Sequence, residues 1–349
     1  MRIVIAPDKY KGTLTSAEAA EALREGVLEA CPDAEIHLVT MADGGEGTAA
    51  ILAKEMGFTR HAALVHPPLP GLPMTKATYY YSEAERAVLF DSATAIGLTL
   101  IPPEKRDVMH SSSAPVGELL HIVMQRHEFL NSAFIGLGGT ATCDGGMGMV
   151  FYLARNKVPV PSIVGLYDAG VPLLAADGRP SALTFAPQKG ATLDDMELLE
   201  KRLRKAASMM PGGNPDTPGA GAAGGLGFAI LSIGGKLCPG VDVVAGSRIS
   251  RLNPDIIITG EGRIDCQSAM GKVLSYFIGY RRKHGTPVIA VGGCVEPGCL
   301  LTPYFTEIIS ADRYEPRDVN PITPEVAAWR LKEAIANRLP DILRTLHTS

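Results

Sequence analysis

Three charged residues spaced two apart, Glu261, Arg263 and Asp265, follow an apolar β-branched run at positions 255–259. The run lies between Pro254 and Gly260 and reads as a short buried strand. Gly260 and Gly262 leave room for a ligand beside the backbone. On an extended chain, residues two apart share a face. An arginine suited to a planar two-oxygen anion then stands between carboxylates able to take a proton or hold a cation. A charged loop at the carboxyl end of a parallel strand is where open α/β sheets bind ligands. The competing reading is a salt-linked turn with no chemistry of its own. Gly271 and Lys272 then open a helix expected to end at His284.

Two turns near the start of the chain carry similar chemistry. Residues 2–6 form a buried-strand pattern, followed by a polar loop with Asp8, Lys9 and Lys11. Residues 35–40 read as a second strand, ending in a loop with Asp43, Gly44, Gly45 and Glu46 ahead of a helix that reaches Gly57. A third turn follows a strand at 131–136. It contains Gly138, Gly139, Thr140, Thr142, Cys143, Asp144, Gly145 and Gly146, and precedes a helix at 147–155. Amides and hydroxyls at a helix N-terminus can be offered to a phosphate. No Gly-Lys-Ser/Thr follows at P-loop spacing, and taken alone such glycines are more often those of tight turns.

The elements that must position these loops are legible in part. Thr15 and Glu18 have the spacing of a capping box, opening a helix that stops before Pro32. Strand, charged loop and helix in repetition argue a parallel sheet with its functional edge at the strand ends. The proline-rich residues 67–73 break regular structure and suggest a domain crossing. Residues 75–81 and 86–90 read as a hairpin, and 116–127 and 193–209 as helices. Residues 158–182 show no clear period. The small-residue stretch 218–228 is either a flexible linker or a closely packed helix, and the apolar residues 228–233 favour the helix. The strand at 255–259, its helix and a strand at 288–292 form a β-α-β unit that rejoins the N-terminal sheet. The expected domains are therefore 1–66 with 254–349, and an inserted 67–253. A last helix at 323–346 carries the lone Trp329, read as a packing residue.

A chain of 349 residues has room for about two domains. Its 20% charged content is that of an ordinary soluble enzyme. The net charge of −4 gives no electrostatic case for nucleic acid or an acidic membrane surface. The six cysteines lack metal spacing or a disulfide framework and read as reduced thiols of a cytosolic protein. None of the eight histidines pairs with a neighbour as a zinc ligand would. The first residues meet Asp8 too soon for a signal peptide, and no apolar run approaches a membrane span.

Taken together, six stretches in order resemble the glycerate kinase family of the bacterial type that lacks a P-loop. They are residues 6–15, 43–48, 138–148, 187–191, 218–228, and 259–265 with Gln267, Gly271 and Lys272. The resemblance runs from Met1 to about Val295. It implies an α/β enzyme, a Rossmann-like parallel-sheet domain with a second α/β domain inserted and the active site in the interdomain cleft. It also implies ATP and Mg²⁺ as cosubstrates and a small hydroxy acid as phosphoryl acceptor. The chain departs from the family pattern at Cys143, where an asparagine is usual, and at residues 111–117, where a threonine-rich run is usual. It departs again at 168–173, and the segment between Met149 and Pro187 is short.

Phosphoryl transfer needs in-line placement, neutralisation of the moving charge and help for the attacking hydroxyl. Under the resemblance, Lys11 and Arg263 contact phosphate or the acceptor carboxylate. Asp43, Asp144 and Asp265 share metal holding and proton removal, with their roles interchangeable at this point. Gly138, Gly139, Thr140, Thr142 and Gly145 cradle nucleotide phosphates, while Asp8, Glu46 and Glu261 bind the acceptor or orient the lysines. A monomer or homodimer is expected. A relative that binds nucleotide but has changed acceptor or lost transfer is the alternative. A dinucleotide-dependent oxidoreductase ranks last, because no Gly-x-Gly-x-x-Gly follows the first strand.

Overall fold

The structure is a computed structural model that describes residues 1–10, 12–41, 44–174, 181–265, 268, 273–316 and 321–348. Lys11, Asp43, Cys266, Gln267, Gly271 and Lys272 lie outside the described residues. The chain opens with β1 (Arg2–Ile5), α1 (Ser16–Ala30), β2 (Glu35–Leu38) and α2 (Thr48–Met56). It continues with β3 (Thr59–Val65), β4 (Thr75–Ser82), β5 (Ala87–Asp91), α3 (Ala93–Ile96), α4 (Ala114–Arg126), β6 (Ser132–Gly136), α5 (Met147–Arg155) and β7 (Ser162–Tyr167). Then come α6 (Leu193–Met209), α7 (Ala222–Ser232), β8 (Lys236–Pro239), α8 (Gly240–Leu252), β9 (Ile256–Ile264), α9 (Val273–His284), β10 (Val288–Val295), β11 (Glu307–Ser310) and α10 (Pro324–Thr348).

These elements divide into two compact units, Met1–Ala42 with Val241–Ser349, and Asp43–Gly240. The division falls at 42/43 and 240/241 rather than at 66/67 and 253/254. Residues 67–73 connect the antiparallel pair β3 and β4 within one sheet, so they are a hairpin connection and not a domain crossing. Proline and glycine mark a chain reversal equally well in either setting.

The first unit is a five-stranded parallel sheet in the order β11-β10-β9-β1-β2. Alternate residues feed alternate faces, as a period of two requires. Ile3, Ile5, Ile256, Ile258, Ile289 and Val291 pack with α1 and α10. Val4, Ile257, Val288 and Ala290 pack with α8 and α9. A strand buried on both faces reads as a continuous apolar run, which is why 2–5 and 256–258 were conspicuous. The capping box forms: Thr15 Oγ1 accepts from the Glu18 amide at 3.2 Å, and Glu18 Oε2 accepts from the Thr15 amide at 2.8 Å. Trp329 is half exposed, with the Lys332 ammonium 5.5 Å from its ring centroid, so its packing role is only partial.

The second unit is a six-stranded sheet, β3-β4-β5-β6-β7-β8, antiparallel from β3 to β5 and parallel from β5 to β8. Apolar residues of α4, α5 and α7 cover one face, among them Val116, Leu120, Met149, Leu153, Leu226 and Ile230. A smaller core gathers Leu199, Leu203 and Ala206 of α6 around Cys143, Leu173 and Phe228. No helix of the described residues is long and apolar enough to cross a membrane.

Candidate active site

In the first unit the strand order itself selects a place. The crossover through α1 carries the chain from β1 to one edge, and the crossovers after β9 carry it to the other. The sheet therefore reverses its winding between β1 and β9, where open α/β sheets form a crevice at the strand ends. Asp8 leaves β1 at that point, and its amide donates to the Gly260 carbonyl at 2.8 Å. Thr259 Oγ1 donates to the Ala6 carbonyl at 2.9 Å. Tyr10 is buried here, its hydroxyl donating to the Val291 carbonyl at 2.6 Å. Burial, then the charges of Glu261 and Asp8, push the Tyr10 phenol far above its ordinary pKa, so it stays a neutral donor.

Tyr10 also explains one of the glycines. A Cβ on Gly260 would lie 2.0 Å from the Val291 carbonyl oxygen and 2.4 Å from the Tyr10 hydroxyl. The space expected for a ligand beside Gly260 is filled by the protein's own tyrosine and neighbouring strand. β9 also runs on to Ile264 rather than ending at the glycines.

Glu261, Arg263 and Asp265 alternate as expected but sit in different surroundings. Glu261 and Asp8 are both buried, and both bear on Tyr10. Arg263 is exposed, with Nε 3.8 Å from Asp265 Oδ2 and Nη2 3.3 Å from Glu296 Oε1. The salt-linked reading is thus correct as geometry. At 63% side-chain exposure the pairs hold the guanidinium only weakly, which leaves it able to exchange them for an anionic ligand. The Asp265 amide donates to Ser268 Oγ at 3.1 Å, fixing the turn that presents the carboxylate. Beside this end of β9, which pairs Ile264 with Val295 of β10, lies an open depression of about 520 Å³. Val295, Ser310, Asp312 and Arg313 line it.

In the second unit three loops converge at the carboxyl ends of β5, β6 and β7. The backbone after β6 is packed glycine against glycine. A Cβ on Gly138 would lie 2.5 Å from Gly45 Cα, and one on Gly224 would lie 2.0 Å from the Thr142 carbonyl oxygen. Gly146, at φ +72°, has Ala229 Cβ 2.3 Å from where its own would stand. At the start of α7, Ala223, Gly224 and Gly225 take left-handed φ values of 53°, 65° and 97°, which seat this turn against 142–145. Residues 218–228 are therefore the closely packed alternative, with a left-handed turn at the helix start.

Glu46 is held next to this loop: its Oε2 would lie 3.4 Å from a Cβ on Gly139. The residue that fixes it was not singled out in the sequence. Asp91, ending β5, accepts from the Gly47 amide at 2.8 Å and the Ala49 amide at 3.0 Å, capping α2. Burial, opposed by those two amides and assisted by Glu46, raises the Asp91 pKa to about 6. An acid at the end of an apolar strand was the available signal, since the same rule picked out Asp8.

Asp144 is placed differently from a metal ligand. Its Oδ2 accepts from the Ser113 amide and hydroxyl, both at 2.8 Å, and from the Gly148 amide at 3.2 Å. Its Oδ1 accepts from the Gly146 amide at 3.0 Å. Four donors on one buried carboxylate tie the start of α5 to the start of α4. A hard cation needs those same lone pairs. Ser113, another residue missed as functional, is the other half of this joint, and its Oγ also accepts from the Met149 amide at 3.0 Å.

The remaining side chains are Thr140, Thr142 and Lys189, all buried. Lys189 Nζ donates to the Thr142 carbonyl at 2.8 Å and to Thr140 Oγ1 at 3.3 Å. Burial pushes its pKa down, with Cys143 and Asp144 acting the other way. Cys143 is fully buried in the small core and its thiol pKa is pushed up by that burial. The amides of Gly138, Gly139, Thr140 and Thr142 donate to no acceptor among the described residues. Amides without internal acceptors, ahead of a helix N-terminus, make a surface suited to phosphate oxygens.

The structure thus gathers Asp8 with Glu261 and Arg263 with Asp265 in one unit. It gathers Glu46 with the glycine loop in the other. Comparison with known proteins identifies the family. The glycerate kinase family matches residues 3–158 and 151–317. A glycerate 2-kinase of Escherichia coli (strain K12) is 34% identical over 335 residues, covering 84% of this chain and 85% of that protein. A glycerate kinase of Halalkalibacterium halodurans is 33% identical, covering 85% and 86%. A crystal structure from Salmonella typhimurium LT2, described as a candidate glycerate kinase 2, superposes with a TM-score of 0.77 at 28% identity over all of both chains. The chain therefore belongs to the glycerate kinase family and is a kinase with a hydroxyl acceptor.

Proposed function

We propose that the protein transfers the γ-phosphoryl group of ATP, as its Mg²⁺ complex, to a hydroxyl of glycerate or a closely related small hydroxy acid. The observation that carries the reading is the glycine loop ahead of α5, in which the amides of Gly138, Gly139, Thr140 and Thr142 have no acceptor among the described residues, in a chain whose relatives are named glycerate kinases. Gly138, Gly139, Thr140 and Thr142 receive the nucleotide phosphates; Gly145, expected with them, has its amide committed to the Gly224 carbonyl at 3.0 Å. Arg263, exposed and only weakly paired, takes the acceptor carboxylate, with Lys11 as a second cation. Asp265, with Asp43, accepts the hydroxyl proton as the acceptor oxygen bonds to phosphorus and the bridging oxygen leaves with ADP. Asp8 and Glu261, buried at neighbouring strand ends, bind the acceptor or orient the cations.

Magnesium fits this set as an ion carried on the nucleotide. Mg²⁺ keeps several waters and asks for one or two carboxylates beyond the phosphates. Asp265 would supply one, while Asp144, committed to four donors, acts as a joint. The ion supplies charge neutralisation on the phosphates. The free cysteines 31, 143, 238, 294 and 299 and the net charge of −4 fit a cytoplasmic enzyme, monomeric or homodimeric.

A panel of small hydroxy acids assayed for ADP release with MgATP tests the reading. Turnover is expected with glycerate and to fall as the carboxylate or the hydroxyl is removed. Nucleotide binding without turnover on any member would contradict it and select a relative that has lost transfer.

A further inference from the structure

Lys189 is 5% exposed, yet no carboxylate stands within ion-pair distance of its ammonium among the described residues. An ammonium has three hydrogens to donate. Nζ uses two of them on neutral acceptors, the Thr142 carbonyl and Thr140 Oγ1. A buried cation without a paired anion is costly and is normally either neutralised or matched. Close by is a second unfinished group. The Thr142 hydroxyl is wholly buried and has no hydrogen-bond partner among the described residues. Orphaned polar groups of this kind are few in native proteins and call for an explanation. Lys189 reaches this loop from the turn at Pro187–Lys189, Thr142 belongs to it, and its amides at Gly138, Gly139 and Thr140 also lack acceptors among the described residues.

We propose that Lys189 and the Thr142 hydroxyl are the buried half of a seat for a phosphoryl group of the nucleotide, whose outer half is the amides of Gly138, Gly139 and Thr140. This rests on the nucleotide reading above and adds the counter-charge that reading lacked. Lys189 is a positioning residue: it holds the Thr140 hydroxyl and the Thr142 carbonyl in place and supplies positive charge from beneath the loop. The bound anion completes the charge pair that the chain leaves open. The titratable groups facing Lys189 are Cys143 and Asp144. Cys143 is a thiol whose pKa burial raises, and Asp144 is engaged by its own four donors, so neither replaces the ligand.

A purely structural lysine and a phosphoryl-directed one differ in how their removal reads across ligands of different charge. Calorimetric affinities of AMP, ADP and ATP would be measured for the wild type and for Lys189→Met. The expected result is a loss of about 10- to 100-fold for ATP, a smaller loss for ADP, and little change for AMP. Equal losses for all three, or unchanged ATP affinity, would overturn the proposal while leaving the nucleotide reading intact. A wild type that binds none of the three overturns both. Thr142→Val guards against a lysine variant that does not fold, since it replaces an unpartnered buried hydroxyl by a methyl of the same shape. It should keep or raise the unliganded melting temperature while weakening ATP. A lowered melting temperature with ATP affinity intact would contradict the seat.

Discussion

Asp91 shows how much of a site depends on a residue that touches no ligand. Its two oxygens hold the amides of Gly47 and Ala49, and through them the loop that carries Glu46. Its carboxyl pKa stands near 6, against 3.8 in an unfolded chain. A folded-state value above the unfolded one means that the folded protein binds the proton more tightly. The stability it contributes is full below about pH 4 and is lost as pH rises through about 6. The difference corresponds to about 3 kcal/mol across that window. Urea midpoints of the wild type and Asp91→Asn between pH 4 and 7 would read it. Subtracting the variant should leave a component that falls with rising pH; a difference independent of pH would refute the assignment. At this scale the sequence disclosed residue types and missed environments. Asp8, Glu261, Arg263 and Asp265 were visible as charges at strand ends, but nothing in their spacing said that Asp8 and Glu261 would be buried against Tyr10. Likewise, an aspartate among glycines looks the same whether its lone pairs await a cation or, as in Asp144, are already committed to four donors.

The elements were more legible than the residues, for a physical reason. Capping and periodicity are local, so α1 with its Thr15–Glu18 box, α5 and α6 could be placed from sequence spacing alone. The strands β3, β7, β8 and β11 and the helices α3 and α8 were not foreseen; α3, β8 and β11 have only four residues each. Four residues hold too little pattern to separate a strand from a loop. The small-residue stretch at the start of α7 is intermediate. Its composition left linker and packed helix open, and only the neighbouring backbone explains Gly224. There φ is +65°, and a Cβ would stand 2.0 Å from the Thr142 carbonyl. Gly224→Ala should therefore destabilise the protein by about 2–4 kcal/mol, from left-handed strain plus overpacking against a backbone that cannot yield. Chemical denaturation measures it. Stability within about 0.5 kcal/mol of the wild type would mean that the loop has more freedom than this packing allows.

For the molecule as a whole, the resemblance drawn from six stretches carried further than any one of them. The parallel sheet of the first unit and the mixed sheet of the second agree with the α/β class it implied. The boundary between units did not emerge from the sequence, because the proline-rich residues 67–73 turned a hairpin instead of crossing between domains. Family membership says that a hydroxyl receives the phosphoryl group; which molecule carries that hydroxyl is the central claim left to experiment. Phosphorus NMR of the protein incubated with D-glycerate and MgATP tests it most directly. The account predicts that the ATP γ resonance is replaced by an ester resonance whose splitting by one or two protons reports the carbon phosphorylated. An unchanged γ resonance, or its conversion only to inorganic phosphate, would contradict it.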